Sequence, residues 1–206
     1  MGYGLEHAGP EVWIYVPWVA WAVSWTIAGV WANRTVGRPG GLRELPYRIF
    51  TVSGFVLLLF SVIRDGDEVP RNLPPALFER YWTLPIEAQW AMVWLAALGF
   101  LFCWWARLHL GALWSGVITR KEGHHVVDTG PYGLVRHPIY TGLLFAALAT
   151  MVEKGTQHAI IGFVLMTVGY YMKGKLEERF LRQELGKEAY DAYARRVPML
   201  VPFAPA

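Results

Sequence analysis

The chain has one cysteine, few charges and no strongly polar domain. Cys103 is the sole cysteine and sits within an apolar run. An internal disulfide is excluded, and so is a cysteine-based metal cluster. The expected role is a small buried hydrophobe. Charged residues make up 17% of the 206 residues, where a soluble domain carries about 25%. No basic n-region precedes the first apolar run, which is also long and rich in Trp, so no cleavable signal peptide is expected. There is no internal repeat and no GxGxxG pattern following a strand, so a dinucleotide site of the Rossmann type is not supported. A net charge of +3 without a basic stripe argues against nucleic acid as a partner.

Apolar and aromatic residues are abundant. Apolar types reach 54%, with 11 Trp, 10 Tyr and 10 Phe. Such rings enrich at membrane interfaces, where one edge is apolar and the other wet. A helix needs roughly 20 apolar residues to cross a hydrocarbon core about 30 Å thick. Five apolar runs approach this: Val12 to Trp31, Ile49 to Ile63, Ala88 to Ala106, Ile139 to Val152 and Ala159 to Met172. The last two are short and are joined by Glu153 to His158, which predicts a tight helical hairpin. Lys173 to Arg196 then reads as an amphipathic tail helix, with Leu176, Phe180, Leu181, Leu185, Tyr190 and Tyr193 at roughly helical spacing and a break at Gly186. The proline-rich stretch Arg64 to Pro85 predicts a loop, with a short turn over Ala76 to Tyr81. The expected fold class is all-α: a polytopic membrane protein of about five spans with a C-terminal amphipathic cytoplasmic helix. It forms a single domain, with three spans in 1–110 and the chemistry in 111–206.

Charge predicts the orientation. Arg34, Arg38, Arg43 and Arg48 oppose only Glu44 in the first link, whereas the Arg64–Pro85 loop is balanced by Asp65, Asp67, Glu68 and Glu79. Arg107, Arg120, Lys121 and Arg136 follow the third run, and the tail is again basic. The positive-inside rule then puts the N-terminus outside and the first link, the Arg107–His137 segment and the tail in the cytoplasm. The expected setting is a bacterial inner membrane or its equivalent, with lipids as neighbours.

Chemistry concentrates in Gly111 to Gly142, GALWSGVITRKEGHHVVDTGPYGLVRHPIYTG. It holds six glycines, three histidines (His124, His125, His137) and two tyrosines (Tyr132, Tyr140). Pro138 suits the first turn of the fourth span. That places Arg136, His137 and Tyr140 at its mouth, with His137 and Tyr140 on one face. Each piece alone has an ordinary reading: a snorkelling Arg, an interface Tyr, a solvated His. Three histidines raise metal as a possibility, but no His-x-x-x-His pair is present and Asp128 and Glu122 are the only near carboxylates; no metal is expected. In the tail, Lys173 and Glu177 stand four apart and share a face; of the adjacent acids Glu177 and Glu178, one is expected to reach the mouth between the fourth and fifth spans and the other to meet solvent or Arg182.

These residues resemble the isoprenylcysteine carboxyl methyltransferase family of membrane enzymes that use S-adenosylmethionine (SAM). The resemblance lies in His124-x-Val126-Val127-x-x-Gly130-Pro131-Tyr132, in Arg136-His137-Pro138-x-Tyr140-x-Gly142, and in the ending Glu177-Glu178, Leu181, Leu185-Gly186, Tyr190, Tyr193, Arg196-Val197-Pro198 and Pro202. It covers roughly Gly111 to Phe203. It implies a SAM site at His124, Val126, Val127, Gly130, Tyr132, Arg136, His137, Pro138, Tyr140 and Glu177, and catalytic work by Lys173, Glu177 and Arg136. Lys173 stands where the family usually has Arg to hold the acceptor's carboxylate. A lysine is a point charge without the bidentate fork, so the acceptor stays open among a prenylcysteine-type carboxylate, an amine and a thiol. For an acceptor that must lose a proton, His124 or His125 is the expected base. Trp114 is a further candidate wall for the adenine or the sulfonium. A membrane NADPH-dependent reductase acting on a sterol-like substrate is the alternative enzyme reading, with Arg120, Lys121 and Arg136 available for its extra phosphate. A small transporter or scaffold fits less well, because it predicts charges embedded within the spans.

Overall fold

The computed structural model describes residues 9–29, 35–37, 41–60, 74–114, 120–121 and 126–205. His124 and His125 lie outside these residues. The chain is helical, with one short strand pairing among the described residues. The helices are α1 (Pro10–Trp13), α2 (Val16–Ala28), α3 (Leu45–Leu59), α4 (Ile86–Leu110), α5 (Pro131–Leu134), α6 (Pro138–Lys154), α7 (Gln157–Leu185) and α8 (Lys187–Ala194). Strand β1 (Thr35–Gly37) pairs antiparallel with β2 (Arg120–Lys121).

The first apolar run is divided into α1 and α2 rather than forming one rod. Pro17 lacks the N–H that would bond back to Trp13, so the helix is interrupted by a turn at Ile14 and Tyr15. Pro46 and Pro138 lie in the first turns of α3 and α6, where no donor is needed. Helix α6 stops at Gly155, whose left-handed φ of 59° a side chain would oppose. The fifth run and the first part of the tail form a single 29-residue helix, α7. It ends where Gly186 adopts φ 96°, the expected break.

Helices pack in the pairs α3 with α7, α4 with α6, and α6 with α7, while α2 rests on α4. The order across the bundle is therefore α2, α4, α6, α7, α3. Two of these contacts are made backbone to backbone. A Cβ added to Gly142 would lie 2.5 Å from the Gly99 oxygen and 2.6 Å from the Cys103 sulfur. One added to Gly162 would lie 2.5 Å from the Leu58 nitrogen. Gly142 thus serves helix packing, and Cys103 is the buried small hydrophobe expected of it.

Side chains on the outside form apolar stripes at helical spacing. Val19, Val23 and Ile27 on α2, and Trp94, Leu98, Leu101, Trp105 and Leu108 on α4, are all more than 45% exposed. In water such stripes would be a strong aggregation liability; against lipid they are ordinary. Helix α4, with 25 residues, is the one described helix long and apolar enough by itself to cross a membrane. At 1.5 Å per residue it reaches roughly 37 Å.

Both ends of the bundle are tied by links. At one end β1 joins β2. At the other, Tyr81 N–H donates to the Gly155 oxygen at 2.8 Å and Gln157 N–H to the Glu79 oxygen at 3.3 Å. The expected turn near Ala76 is a 3-10 helix over Pro75–Phe78, held where His158 Nδ1 meets the Leu77 oxygen at 2.8 Å.

Candidate active site

The mouth of α6 is assembled from parts of the chain far apart in sequence. Pro138 starts the helix, so Arg136 and His137 sit in non-helical backbone just before it. Their N–H groups donate to the oxygens of Pro198 and Met199 at 2.8 and 3.1 Å. The Thr141 hydroxyl donates to the Leu200 oxygen at 2.6 Å. The segment after α8 therefore runs as a strap alongside the α6 entry and fixes its geometry.

Glu178 is the centre of a buried charge cluster. It is 1% exposed and accepts from Arg136 Nε at 2.7 Å. His137 Nε2 lies 3.3 Å from the same Oε1, and Arg182 Nη1 approaches Oε2 at 3.7 Å. Burial by itself would raise this carboxyl, but the hydrogen bonds from His137 and Arg136 outweigh it and hold the group down at about 2. Arg136 also donates through Nη1 to the oxygens of Ala194 and Val197. Its side chain is 7% exposed. Of the two adjacent acids it is Glu178 that reaches Arg182, yet it is among the most buried polar side chains of the described residues.

Glu177, one residue earlier, turns to a different face and borders a cavity. The Tyr140 hydroxyl donates to Glu177 Oε2 at 2.7 Å, and His137 Nδ1 lies 3.7 Å from the same oxygen. The His137 and Tyr140 rings stack with centroids 5.2 Å apart and planes 5° from parallel. The imidazole thus stands between the two adjacent acids, which diverge around the helix and still meet at one ring. Lys173 Nζ lies 5.0 Å from the Tyr140 ring centre and 5.8 Å from that of Tyr47 on α3.

The cavity holds about 260 Å³. Val126, Val127, Tyr132, Arg136, His137, Pro138, Tyr140, Lys173 and Glu177 all border it. Every sequence-predicted site residue within the described stretch therefore meets in one place, apart from Gly130. That glycine shapes the loop instead. It adopts φ 56°, and a Cβ there would lie 2.7 Å from the His109 ring. His109, in turn, faces the Tyr132 ring with centroids 6.4 Å apart and contacts the Thr129 hydroxyl at 2.9 Å.

Several lining residues escaped the sequence reading of the site: Trp21 and Trp25 from α2, Tyr170 from α7, and Tyr190 and Tyr193 from α8. The last two carried a signal, their spacing on an amphipathic helix. Tyr193 donates to the Tyr132 oxygen at 2.7 Å, so α8 closes over α5. Trp114, expected as a wall, lines the cavity and stacks under Arg107, whose Cζ lies 4.4 Å from the ring centre. Among the described residues no group of three or more His, Cys, Asp or Glu is arranged to hold a metal ion.

Fold and site together define a helical bundle with a carboxylate-and-tyrosine cavity at one end. Residues 92–183 match the sequence model of the Isoprenylcysteine carboxyl methyltransferase (ICMT) family. The chain is 36% identical over 87 residues to protein-S-isoprenylcysteine O-methyltransferase B of Arabidopsis thaliana, covering 42% of this chain and 44% of that protein. It is 42% identical over 72 residues to methanethiol S-methyltransferase of a Pseudomonas strain, covering 34% and 26%. It is also 32% identical over 127 residues to the nickel-cobalt-cadmium resistance protein NccN of Alcaligenes xylosoxydans xylosoxydans, covering 56% and 55%. The chain thus matches about half, or less, of the length of these relatives. They lend no support to the reductase alternative.

Proposed function

We propose that this chain is an integral membrane SAM-dependent methyltransferase whose cofactor and acceptor meet in the cavity at the mouth of α6. The observation that carries the reading is the convergence of Tyr132, His137, Tyr140, Lys173 and Glu177 on one cavity within the family-matched stretch 92–183. SAM has a cationic ammonium, ribose hydroxyls, a flat base and a sulfonium. The residues present fit such a molecule. Glu177 offers a carboxylate held by Tyr140, suited to the ammonium or to a ribose hydroxyl. Tyr132, Tyr190 and Tyr193 offer ring faces, and Val126 and Val127 add an apolar edge. When bound, SAM supplies an electrophilic methyl: the acceptor's lone pair takes the carbon, and the electrons of the broken C–S bond stay on sulfur.

The chain's own task is alignment and exclusion of water. His137 is fixed by Glu178 and the strap, and its ring orients Tyr140, which orients Glu177. Arg136 acts in this scheme through Glu178, because its guanidinium is already engaged by that carboxylate and two backbone oxygens. Lys173 faces the acceptor. It attracts an anionic nucleophile, a carboxylate or a thiolate, without dictating which.

We also propose five membrane spans with the N-terminus outside and the C-terminus in the cytoplasm. The pairing of β1 with β2 supports a shared side for the first link and the segment after α4. The bonds of Tyr81 and Gln157 support a shared opposite side for the proline-rich loop and the α6–α7 turn. Because Cys103 is the only cysteine and is buried, single introduced cysteines give a clean test. In intact cells an impermeant maleimide is expected to label Tyr81→Cys and to spare Arg195→Cys; the reverse pattern refutes the orientation.

The activity is tested by labelled-methyl transfer from SAM to a panel of carboxylate, amine and thiol acceptors. The expected result is transfer to at least one class, with Lys173→Arg changing the preference among classes more than the affinity for SAM. Transfer to none, or a Lys173→Arg effect confined to SAM affinity, contradicts the roles assigned.

A further inference from the structure

Glu44 is the lone acid of the first basic link, yet it is buried, at 4% exposure. Its Oε2 accepts from the Tyr47 hydroxyl at 3.0 Å and from Arg48 Nη2 at 2.5 Å. Arg48 faces solvent, with 53% of its side chain exposed, whereas Tyr47 points inwards and is buried. The Tyr47 ring meets the Lys173 ammonium at 5.8 Å, and the Tyr140 ring meets it at 5.0 Å. Lys173 and Tyr140 border the cavity, and no described residue of α3 does. The contact between Tyr47 and Lys173 follows from the register of α3 on α7, which small residues fix turn by turn. A Cβ added to Gly162 would lie 2.5 Å from the Leu58 nitrogen, and one added to Gly169 would lie 2.5 Å from the Thr51 hydroxyl and 2.9 Å from the Thr51 nitrogen. Running back along α3 from Leu58 to Thr51 thus runs forward along α7 from Gly162 to Gly169. One more turn brings Tyr47 to Lys173. The Thr51 hydroxyl also donates to the Tyr47 oxygen at 2.7 Å.

We infer that Tyr47, anchored by Glu44, is a positioning residue that seats the Lys173 ammonium at the cavity for an anionic acceptor. This rests on the methyltransferase reading above and adds to it a part of the chain, α3, that lies outside the family-matched stretch 92–183. A lysine at this position needs a seat. Its ammonium is a point charge on a flexible four-carbon stem, without the rigid fork that orients an arginine. A ring face within about 6 Å attracts such a cation. Tyr140 provides one face, but its hydroxyl is committed to Glu177 at 2.7 Å, so it serves the cofactor half as well. Tyr47 provides a second face that is fixed separately, by Glu44 at its hydroxyl and by Thr51 at its backbone. Glu44 adds charge to this geometry. Together with Glu177 it favours the charged form of Lys173, and Arg48 opposes it. An ammonium kept charged and held at the edge of the cavity draws in a carboxylate or a thiolate and gives a neutral amine no such help.

The test is a double-mutant cycle on the purified full chain in detergent, with Tyr47→Leu and Tyr47→Phe each made alone and beside Lys173→Met. SAM affinity is read by calorimetry, and methyl transfer with an alkyl thiol, an alkyl carboxylate and an alkyl amine. Wild type is expected to methylate the thiol or the carboxylate. Tyr47→Leu is expected to raise the KM of that acceptor by about tenfold, with SAM affinity held within about twofold. Tyr47→Phe keeps the ring and loses only the bond to Glu44, so it is expected to fold and to raise KM by about two- to threefold. Both effects are expected to vanish beside Lys173→Met, because the ring then has no ammonium to seat. A purely structural role for Tyr47 predicts the opposite: the same rise with or without Lys173, and a loss of SAM affinity alongside it. Either of those results overturns the inference, as does an unchanged KM in Tyr47→Leu or transfer by wild type to the amine alone. Absence of SAM binding and of transfer to every acceptor brings down the methyltransferase reading and this inference together, whereas transfer that is indifferent to Tyr47 brings down this inference alone.

Discussion

Replacing Glu178 by Leu is expected to destabilise the folded chain by about 3–5 kcal/mol, the range found when one partner of a buried ion pair is removed. The carboxylate is 1% exposed and is the counter-charge to Arg136, which lies buried at the root of α6. Without it the guanidinium keeps its backbone bonds to Ala194 and Val197 but loses its anion, and His137 loses the group 3.3 Å from its Nε2. The strap would then close over an uncompensated charge. Thermal unfolding followed by tryptophan fluorescence in detergent checks this, and Arg136→Met combined with Glu178→Leu is expected to recover part of the loss, since an apolar pair leaves no orphaned charge. A wild-type unfolding midpoint for Glu178→Leu would contradict the role. Acid provides a second readout. The folded carboxyl is held at about 2, below its ordinary 4.5. Its contribution to stability is therefore fully present above about pH 4.5 and is lost as pH falls from there through about 2. The Leu variant lacks this component, so its stability is expected to vary less with pH across that window.

Much of this site could be read in the sequence, because its parts obey local rules. Pro138 after Arg136-His137 predicts a helix mouth, and spacing predicts the shared face of Lys173 and Glu177. Gly186 marks the helix break where it occurs. What escaped depends on contacts between distant residues. Glu178 in a run of charges has the look of a solvated tail; its burial follows from Arg136, 42 residues away. The strap bonds backbone groups about 60 residues apart, and no side-chain pattern encodes such a pairing. Trp21 reads as an interface residue, since Trp is common at membrane boundaries, and only the packing of α2 on α4 brings it and Trp25 to the cavity. The turn between α1 and α2 was legible in principle from Pro17, yet apolar continuity through Val12 to Trp31 masks it. An apolar run marks only part of a helix: the fifth run continues without interruption into the charged tail, since straight-chain and charged residues propagate a helix as well as apolar ones do.

The second large effect concerns Glu177. Its side chain is 30% exposed and accepts from the Tyr140 hydroxyl at 2.7 Å, with His137 Nδ1 3.7 Å away. Replacement by Gln keeps the shape and a hydrogen bond to Tyr140, so stability is expected to change by less than about 1.5 kcal/mol. Binding should respond far more. A hydrogen bond to a charged group contributes roughly 1.5–3 kcal/mol, so SAM affinity is expected to fall by about 10- to 100-fold. The contrast with Glu178 is informative, because two adjacent acids then separate cleanly into one that binds and one that holds the fold.

The most direct test of the central claim is a calorimetric titration of SAM into the purified chain in detergent, run beside Glu177→Gln and beside a titration with NADPH. Saturable binding of SAM to a single site, weakened in Glu177→Gln and with no counterpart for NADPH, is the expected result. No saturable SAM binding, or equal SAM affinity in wild type and Glu177→Gln, would contradict the assignment of this cavity to the methyl donor.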